Sequence, residues 1–318
     1  MAGEASLELK NLTKIFNHDL LKKAVAAVDD LTCHFPAGKC TGLMGHNGAG
    51  KTTSIRMIFG LIRPDKGQIL FRNKPLHWQD KRWIGYMPEV NKLPMNLNAV
   101  EILRHQLRIY KPQHISPKKY QTSIEQKLQE VGLWEHRNKW VGQLSKGMGR
   151  RLAWAQATIH NPELLILDEP FSGLDPLGRQ LMADLINEMR QKNKTILLCT
   201  HELWSVNEVC DHLYILNKGK LVFSSLGDEN QQKTGHQLNL SGCSLEDLEQ
   251  LKKSYQLGNW DWHEESGYSI KLWFQDYANA AAWLSACSQS GMIISSFHKT
   301  QGFQEQDLLR YFQGEKSA

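Results

Sequence analysis

The sequence predicts an α/β fold on a largely parallel sheet, with a helical subdomain inside it and a small α+β domain after it. Three observations carry this. Apolar runs at 164–167, 195–199 and 213–216 alternate with stretches of helical spacing, the pattern of strands covered on both faces. A glycine-rich turn joins a strand-like run at 39–44 to a helix expected from Lys51 to about Leu61. The charge balance also changes sign near residue 230.

The chain has 318 residues, which corresponds to two domains at about 150 residues each. Hydrophobic residues make up 41% and charged residues 22%, which excludes a disordered chain, a collagen and a coiled-coil rod. No apolar run approaches the roughly 20 residues that span a bilayer. The opening MAGEASLELK has an acidic residue and no apolar stretch, so no signal peptide and a cytoplasmic location are expected. Six cysteines are scattered without a CxxC pair. Small buried hydrophobes in a reducing compartment are expected, rather than a metal or disulfide site. Residues 1–230 hold 31 Lys and Arg against 23 Asp and Glu, and residues 231–318 hold 7 against 10. A basic excess of this size suits nucleic acid, a phosphate ligand or an anionic membrane surface, and for most of these charges an ordinary solvated surface is expected. There is no long Lys/Arg run and no low-complexity segment, and no nucleic-acid partner is expected.

Within 1–230 a short strand is expected at 83–87. Ile102, Leu103, Leu107 and Tyr110 then share a helical stripe, followed by Ile124, Leu128, Val131 and Leu133. Pro112 and Pro117 divide this stretch into two helices, which begin a helical subdomain over about 90–160. Arg56 and Arg63 read as helix-surface charges. Trp83, Trp154 and Trp204 fall in apolar patterns and are expected in the core. Nothing repeats at a period of 20–50 residues, so a solenoid is not expected.

The turn reads Gly45-His46-Asn47-Gly48-Ala49-Gly50-Lys51-Thr52. It fits GxxxxGK[ST] in full, between a strand and a helix. Its glycines let the backbone wrap and aim several N–H groups at a phosphate, and the following helix adds its positive end. Lys51 supplies a point charge for the β and γ phosphates, and the Thr52 hydroxyl is a hard oxygen donor for Mg²⁺. Downstream, the strand at 164–167 ends in Asp168-Glu169. Open α/β sheets place ligands at this end of their strands. Asp168 is placed for the magnesium shell and Glu169 to polarise a water aimed at the γ phosphate. Between the two lies Leu144-Ser145-Lys146-Gly147-Met148, directly before a helical stretch, a second phosphate-binding helix end.

With these three blocks in order, the chain resembles the ATP-binding subunits of export-type ABC transporters. The third resembles the family signature LSGGQ, with Lys146 in place of the third-position glycine and Met148 in place of the glutamine. The resemblance covers about residues 6–228 and implies a P-loop NTPase fold of ABC type, with ATP and Mg²⁺ as cofactors. It implies that Phe16 stacks on adenine and that Thr53 joins the phosphate ligands. It implies that Asp175, in Ser172-Gly173-Leu174-Asp175, senses a second copy and that His201 contacts the γ phosphate. Glu89, in Tyr86-Met87-Pro88-Glu89, takes the place of the usual loop glutamine and keeps an oxygen for magnesium or water. In such a family the site is split, so a homodimer or a dimer with a related subunit is implied. An integral-membrane permease is the partner, and the chain is peripheral on the cytoplasmic face. Residues 83–90 and the two helices after them are expected to dock on that permease. Arg104, Arg108, Lys111, Lys118 and Lys119 suit a surface near anionic headgroups. A soluble family member acting on ribosomes or DNA, and a non-hydrolysing nucleotide sensor, are the alternatives.

Residues 231–318 show a strand at 236–240, then Leu245, Leu248 and Leu251 at helical spacing. Trp260 and Trp262, then Tyr268, Ile270, Leu272 and Phe274, give a hairpin pattern around Glu265-Ser266-Gly267. Tyr277, Ala280, Ala281, Leu284 and Cys287 mark an amphipathic helix, 292–297 a strand, and Leu308, Leu309 and Phe312 a last helix. The order β-α-β-β-α-β predicts a small ferredoxin-like domain.

Overall fold

A computed structural model describes residues 6–16, 25–90, 92–110, 117–226, 235–258, 261–265, 269–274, 277–300 and 311. Two compact units divide the chain, one of Met1–Gly227 with Leu308–Ala318, the other of Asp228–Asp307.

The first unit opens with β1 (Leu7–Phe16), β2 (Val25–Phe35) and β3 (Cys40–Met44), then α1 (Lys51–Ile58), β4 (Lys66–Phe71) and β5 (Lys74–Pro75). β6 (Ile84–Met87) leads into α2 (Ala99–Tyr110), α3 (Pro117–Glu130) and α4 (Lys146–Thr158). Then come β7 (Leu164–Asp168), α5 (Pro176–Gln191), β8 (Thr195–Thr200), α6 (Leu203–Val209), β9 (His212–Asn217) and β10 (Lys220–Ser224). α1 stops short of the predicted Leu61, because Gly60 takes φ 65°, the left-handed turn that ends helices.

A six-stranded sheet runs β10-β9-β3-β8-β7-β6. Its strands are parallel from β9 to β6, and β10 is antiparallel to β9. The central strands β3, β7 and β8 are buried along their whole length and mostly apolar, because both faces are covered. Leu165 and Leu167 enter one core with Ile102 and Leu107 of α2, Ile124 and Leu128 of α3, Trp154 of α4 and Ile186 of α5. Leu164 and Ile166 point the other way, into a core with Leu9, Leu31 and Ile55. That second core belongs to a separate antiparallel sheet, β2-β1-β4-β5, laid against α1 and the parallel sheet. Trp154 is fully buried, and truncating such a side chain costs about 3–5 kcal/mol. Trp204 corrects the sequence reading: it is 43% exposed, at the rim of α6, with its ring on Phe171 and under the Arg179 guanidinium.

Tyr311 belongs to the first unit. Its carbonyl accepts a bond from Asn217 Nδ2 at 3.1 Å, and its ring lies 4.9 Å from that of Phe223. Sequence reasoning groups this residue with the small domain; its contacts are with β9 and β10.

The second unit consists of β11 (Gly235–Ser241), α7 (Leu245–Tyr255), β12 (Asp261–Glu265), β13 (Ser269–Phe274), α8 (Tyr277–Gln289) and β14 (Ile293–Thr300). Its sheet is antiparallel in the order β12-β13-β11-β14, the ferredoxin-like arrangement. Leu238, Leu240, Leu272 and Phe274 pack on Leu248 of α7 and Trp283 of α8. Trp260, Tyr268 and the last expected helix, apart from Tyr311, lie outside the described residues.

Candidate nucleotide site

β3, β6, β7 and β8 all end at the same edge of the parallel sheet, and the site is built there. The glycine turn carries the chain from β3 into α1. Gly50 stands at φ 110°, and a Cβ on it would lie 2.6 Å from the Ala27 carbonyl oxygen, so no other residue fits. At Gly45 a Cβ would lie 2.6 Å from the Leu216 carbonyl oxygen, so the turn packs directly on the end of β9. α1 begins with no side-chain cap. Its first N–H groups therefore open onto the turn, the arrangement that receives an anion.

Lys51 is buried at 6% exposure. Its ammonium donates to the Gly45 carbonyl and, at 3.4 Å, to that of His46. It lies 4.0 Å from Glu169 Oε1. The loop's own carbonyls thus hold the cation over the turn.

β7 delivers the carboxylates. Asp168, its last residue, is 3% exposed. Burial pushes its carboxyl up to about 6, with the Glu89 and Glu169 charges adding to the rise and Lys51 and Arg150 opposing it. Glu169 takes φ 48°, a left-handed backbone that costs a non-glycine residue about 1 kcal/mol or more. The N–H of Glu169 donates to the Cys199 carbonyl at 2.9 Å, which pins this turn to β8. Its Oε1 is 2.7 Å from His201 Nδ1, and its Oε2 accepts from Thr200 Oγ1 at 3.4 Å.

A cavity of about 210 Å³ is lined by Ala27, the segment His46 to Thr53, Glu89, Asp168 and Glu169. The predicted phosphate-loop residues, Thr52, Thr53 and the three acidic residues therefore meet in one place. Gly45 backs the turn and holds Lys51. His201 reaches the cavity through Glu169.

The remaining predicted residues do not line this cavity. Phe16 ends β1, half-buried, with Lys14 Nζ 5.7 Å from its ring centre. Ser145 caps α4, its Oγ accepting from Met148 N at 3.2 Å. Lys146 is exposed and its side chain fills the space a Cβ on Gly173 would take. Leu144 and Met148 pack at the margin of the helical core, and Gly147 is half-buried. Asp175 caps α5 through Oδ1 and Gly178 N at 2.8 Å. In one copy none of these groups lines the cavity, and Lys146 at the start of α4 lies against the turn at Gly173 that leads to Asp175.

The model for the ABC transporter family matches residues 28–172. An uncharacterized ABC transporter ATP-binding protein of Bacillus subtilis, YxlF, is 32% identical over 94% of this chain and 97% of its own length. The chain belongs to the ABC transporter ATP-binding proteins. As an ABC ATPase it binds and hydrolyses ATP. Its relatives include the bacitracin transport ATP-binding protein BcrA of Bacillus licheniformis, 37% identical over 73% of this chain and 74% of the relative. The Nod factor export ATP-binding protein I of Cupriavidus metallidurans is 33% identical over 69% and 70%. The solved ATP-binding subunit of an ABC transporter superposes with TM-score 0.60 at 28% identity, over 79% of this chain and 93% of that one. A dimeric ABC transporter cassette shares the fold with TM-score 0.64 at 23% identity, over 69% of this chain and 97% of that one.

Two residues of this ABC ATPase site escape sequence reasoning. Ala27 reaches the cavity from β2, and Arg150 lies beneath it, 3% exposed. Arg150 carries a legible signal: it falls on the buried face of α4 with Ala153, Trp154 and Ala157, where a charge needs a reason.

Proposed function

We propose that this chain is the ATP-hydrolysing subunit that powers a separate integral-membrane permease, in the direction of export. The observation that carries the catalytic part is the Glu169 carboxylate, buried beside the phosphate turn, held by His201 and 4.0 Å from the Lys51 ammonium. In this reading the turn, the α1 N-terminus and Lys51 bind the phosphates of ATP, with Thr53 beside them. Glu169 takes the proton of the attacking water. His201 keeps the carboxylate aimed and meets the γ phosphate. Phe16 stacks on the adenine.

The donor set fits Mg²⁺. No group of three His, Cys, Asp or Glu poised for a metal occurs among the described residues, and magnesium does not ask for one. It binds through one or two carboxylates with phosphate oxygens and water. The Thr52 hydroxyl and Asp168, with Glu89 across the same cavity, would hold it, and it would neutralise charge developing on the phosphates.

Leu144 to Met148 and Asp175 stand apart from the cavity, which supports a dimer of this chain or of this chain with a relative. Each copy then closes the other's site. The permease is supported by an exposed apolar patch. Met95 and Trp140 are 66% and 58% exposed. The bonds Val141 N to Leu97 O and Gly142 N to Met95 O join their two segments. Such patches mark partner surfaces. Among the described residues no helix is long and apolar enough to cross a membrane, so membrane attachment on the cytoplasmic face would come through the permease. Export rests on the name of the Nod factor relative. We take residues from about 231 as an accessory domain of this subunit. Purification from membranes, with phosphate release measured, tests the reading: an integral-membrane partner should copurify and ATP should turn over. A chain that hydrolyses ATP but copurifies with ribosomes or DNA overturns the transport half.

A further inference from the structure

Arg150 makes every one of its described bonds to main-chain carbonyls. Nη1 donates to Pro88 O at 2.8 Å and Glu89 O at 2.7 Å. Nη2 donates to Glu169 O and, at 3.4 Å, to Asp168 O. One buried side chain therefore ties together α4, the loop that carries Glu89 and the strand end that carries Asp168 and Glu169. The geometry needs a planar fork with diverging donors; a lysine ammonium, a single point on a stem, cannot span both pairs. The cation also stands among the Asp168, Glu89 and Glu169 charges, which favour its protonated form against burial. Because the bonds end on carbonyls, Arg150 sets where the backbone of Glu89 and Glu169 lies and touches neither carboxylate.

We propose that Arg150 is a positioning residue that makes α4, the Glu89 loop and the Glu169 turn move as one body. The N-terminus of α4 carries Ser145, on the surface apart from the cavity. A shift of that helix end is passed through Arg150 to the two carboxylates of the same copy. The proposal rests on Glu169 acting in hydrolysis.

The full chain carries the test, with kcat and KM for ATP from phosphate release and affinity from a fluorescent ATP analogue. Arg150→Lys keeps the charge and loses the fork. It should lower kcat by about 10-fold or more, as misplacement of a reacting group does, with KM and analogue affinity within about threefold. Arg150→Gln should lower kcat further. Leu152→Ala, a core truncation on the same helix, is the control for mere destabilisation and should keep kcat within about threefold. If Arg150→Gln does not fold, Arg150→Lys alone decides. A wild-type kcat in Arg150→Lys overturns the proposal, as does a kcat loss in Leu152→Ala equal to that of the Arg150 variants. Glu169→Gln separates the two layers. If it turns over normally, the reading of Glu169 fails; if it is inactive while Arg150→Lys is not impaired, only the coupling fails.

Discussion

Nδ1 of His201 lies 2.7 Å from Oε1 of Glu169. The two side chains differ sharply in setting: the carboxylate is 7% exposed and the imidazole 51%. A group open to solvent thus fixes the direction of a group hidden from it. Whatever reaches the histidine from outside, a phosphate or a second copy, changes the support of the buried carboxylate. In the proposed reading this pair links nucleotide binding to hydrolysis, and the first two predictions separate the two steps.

Lys51→Ala should weaken nucleotide binding by at least about 30-fold, the weight of a lost charge-assisted contact, and abolish turnover. The alanine leaves the Gly45 and His46 carbonyls without the ammonium that they share. Titration with a fluorescent ATP analogue measures it; unchanged affinity removes the phosphate-binding assignment.

Glu169→Gln should keep ATP affinity and lose about 10²–10⁴ in turnover, the usual weight of a general base. Glutamine preserves size and hydrogen bonding without taking a proton. With hydrolysis blocked, gel filtration in ATP and Mg²⁺ should show a dimer, while wild type returns to monomer. Turnover within about threefold of wild type would contradict the role.

Photo-crosslinkers placed at Met95 and Trp140, both exposed, should form adducts with an integral-membrane protein. Sites in the ferredoxin-like unit serve as the comparison. Adducts confined to that unit would move the docking surface there.

Stability should fall in acid partly through His160. Its ring is stacked on Tyr110, 3.8 Å between centres, and burial pulls its pKa down to about 4. The folded state therefore keeps it neutral while the unfolded chain protonates it near 6.5. Its contribution is complete above about pH 6.5 and is lost as pH falls towards 4. The linkage is worth at most about 3 kcal/mol. His160→Phe keeps a ring on Tyr110 and should lose about 1–3 kcal/mol less than wild type between pH 7.5 and 4.5, by urea denaturation. Parallel losses in the two proteins would assign the acid limb elsewhere.

Groups contiguous in the chain were the legible ones. Gly45 to Thr52 form one continuous turn, and Asp168 and Glu169 one strand end, so spacing alone exposes them. Arg150 acts through carbonyls at positions 88, 89, 168 and 169, partners that only folding assembles. The apolar strands 164–167 and 195–199 announce a doubly covered sheet. By contrast, the antiparallel sheet of β1, β2, β4 and β5 goes unassigned, because its strands mix buried and exposed positions with irregular registers. Trp204 misleads for a related reason: its apolar neighbours Val206 and Val209 face the core, while its own position on the short helix turns outward.

Tyr311 bonds back to Asn217 at the end of β9, and in the turn from β9 to β10 Gly219 donates to the Ala49 carbonyl of the phosphate turn at 3.0 Å. The ferredoxin-like unit is therefore inserted between two parts of the ATPase unit and does not simply trail from it. A gene cut at residue 230 would strip the ATPase of its own last piece. Excising or swapping the insert cleanly takes two junctions, one on each side, and a graft joined at only one of them exchanges more than the accessory unit.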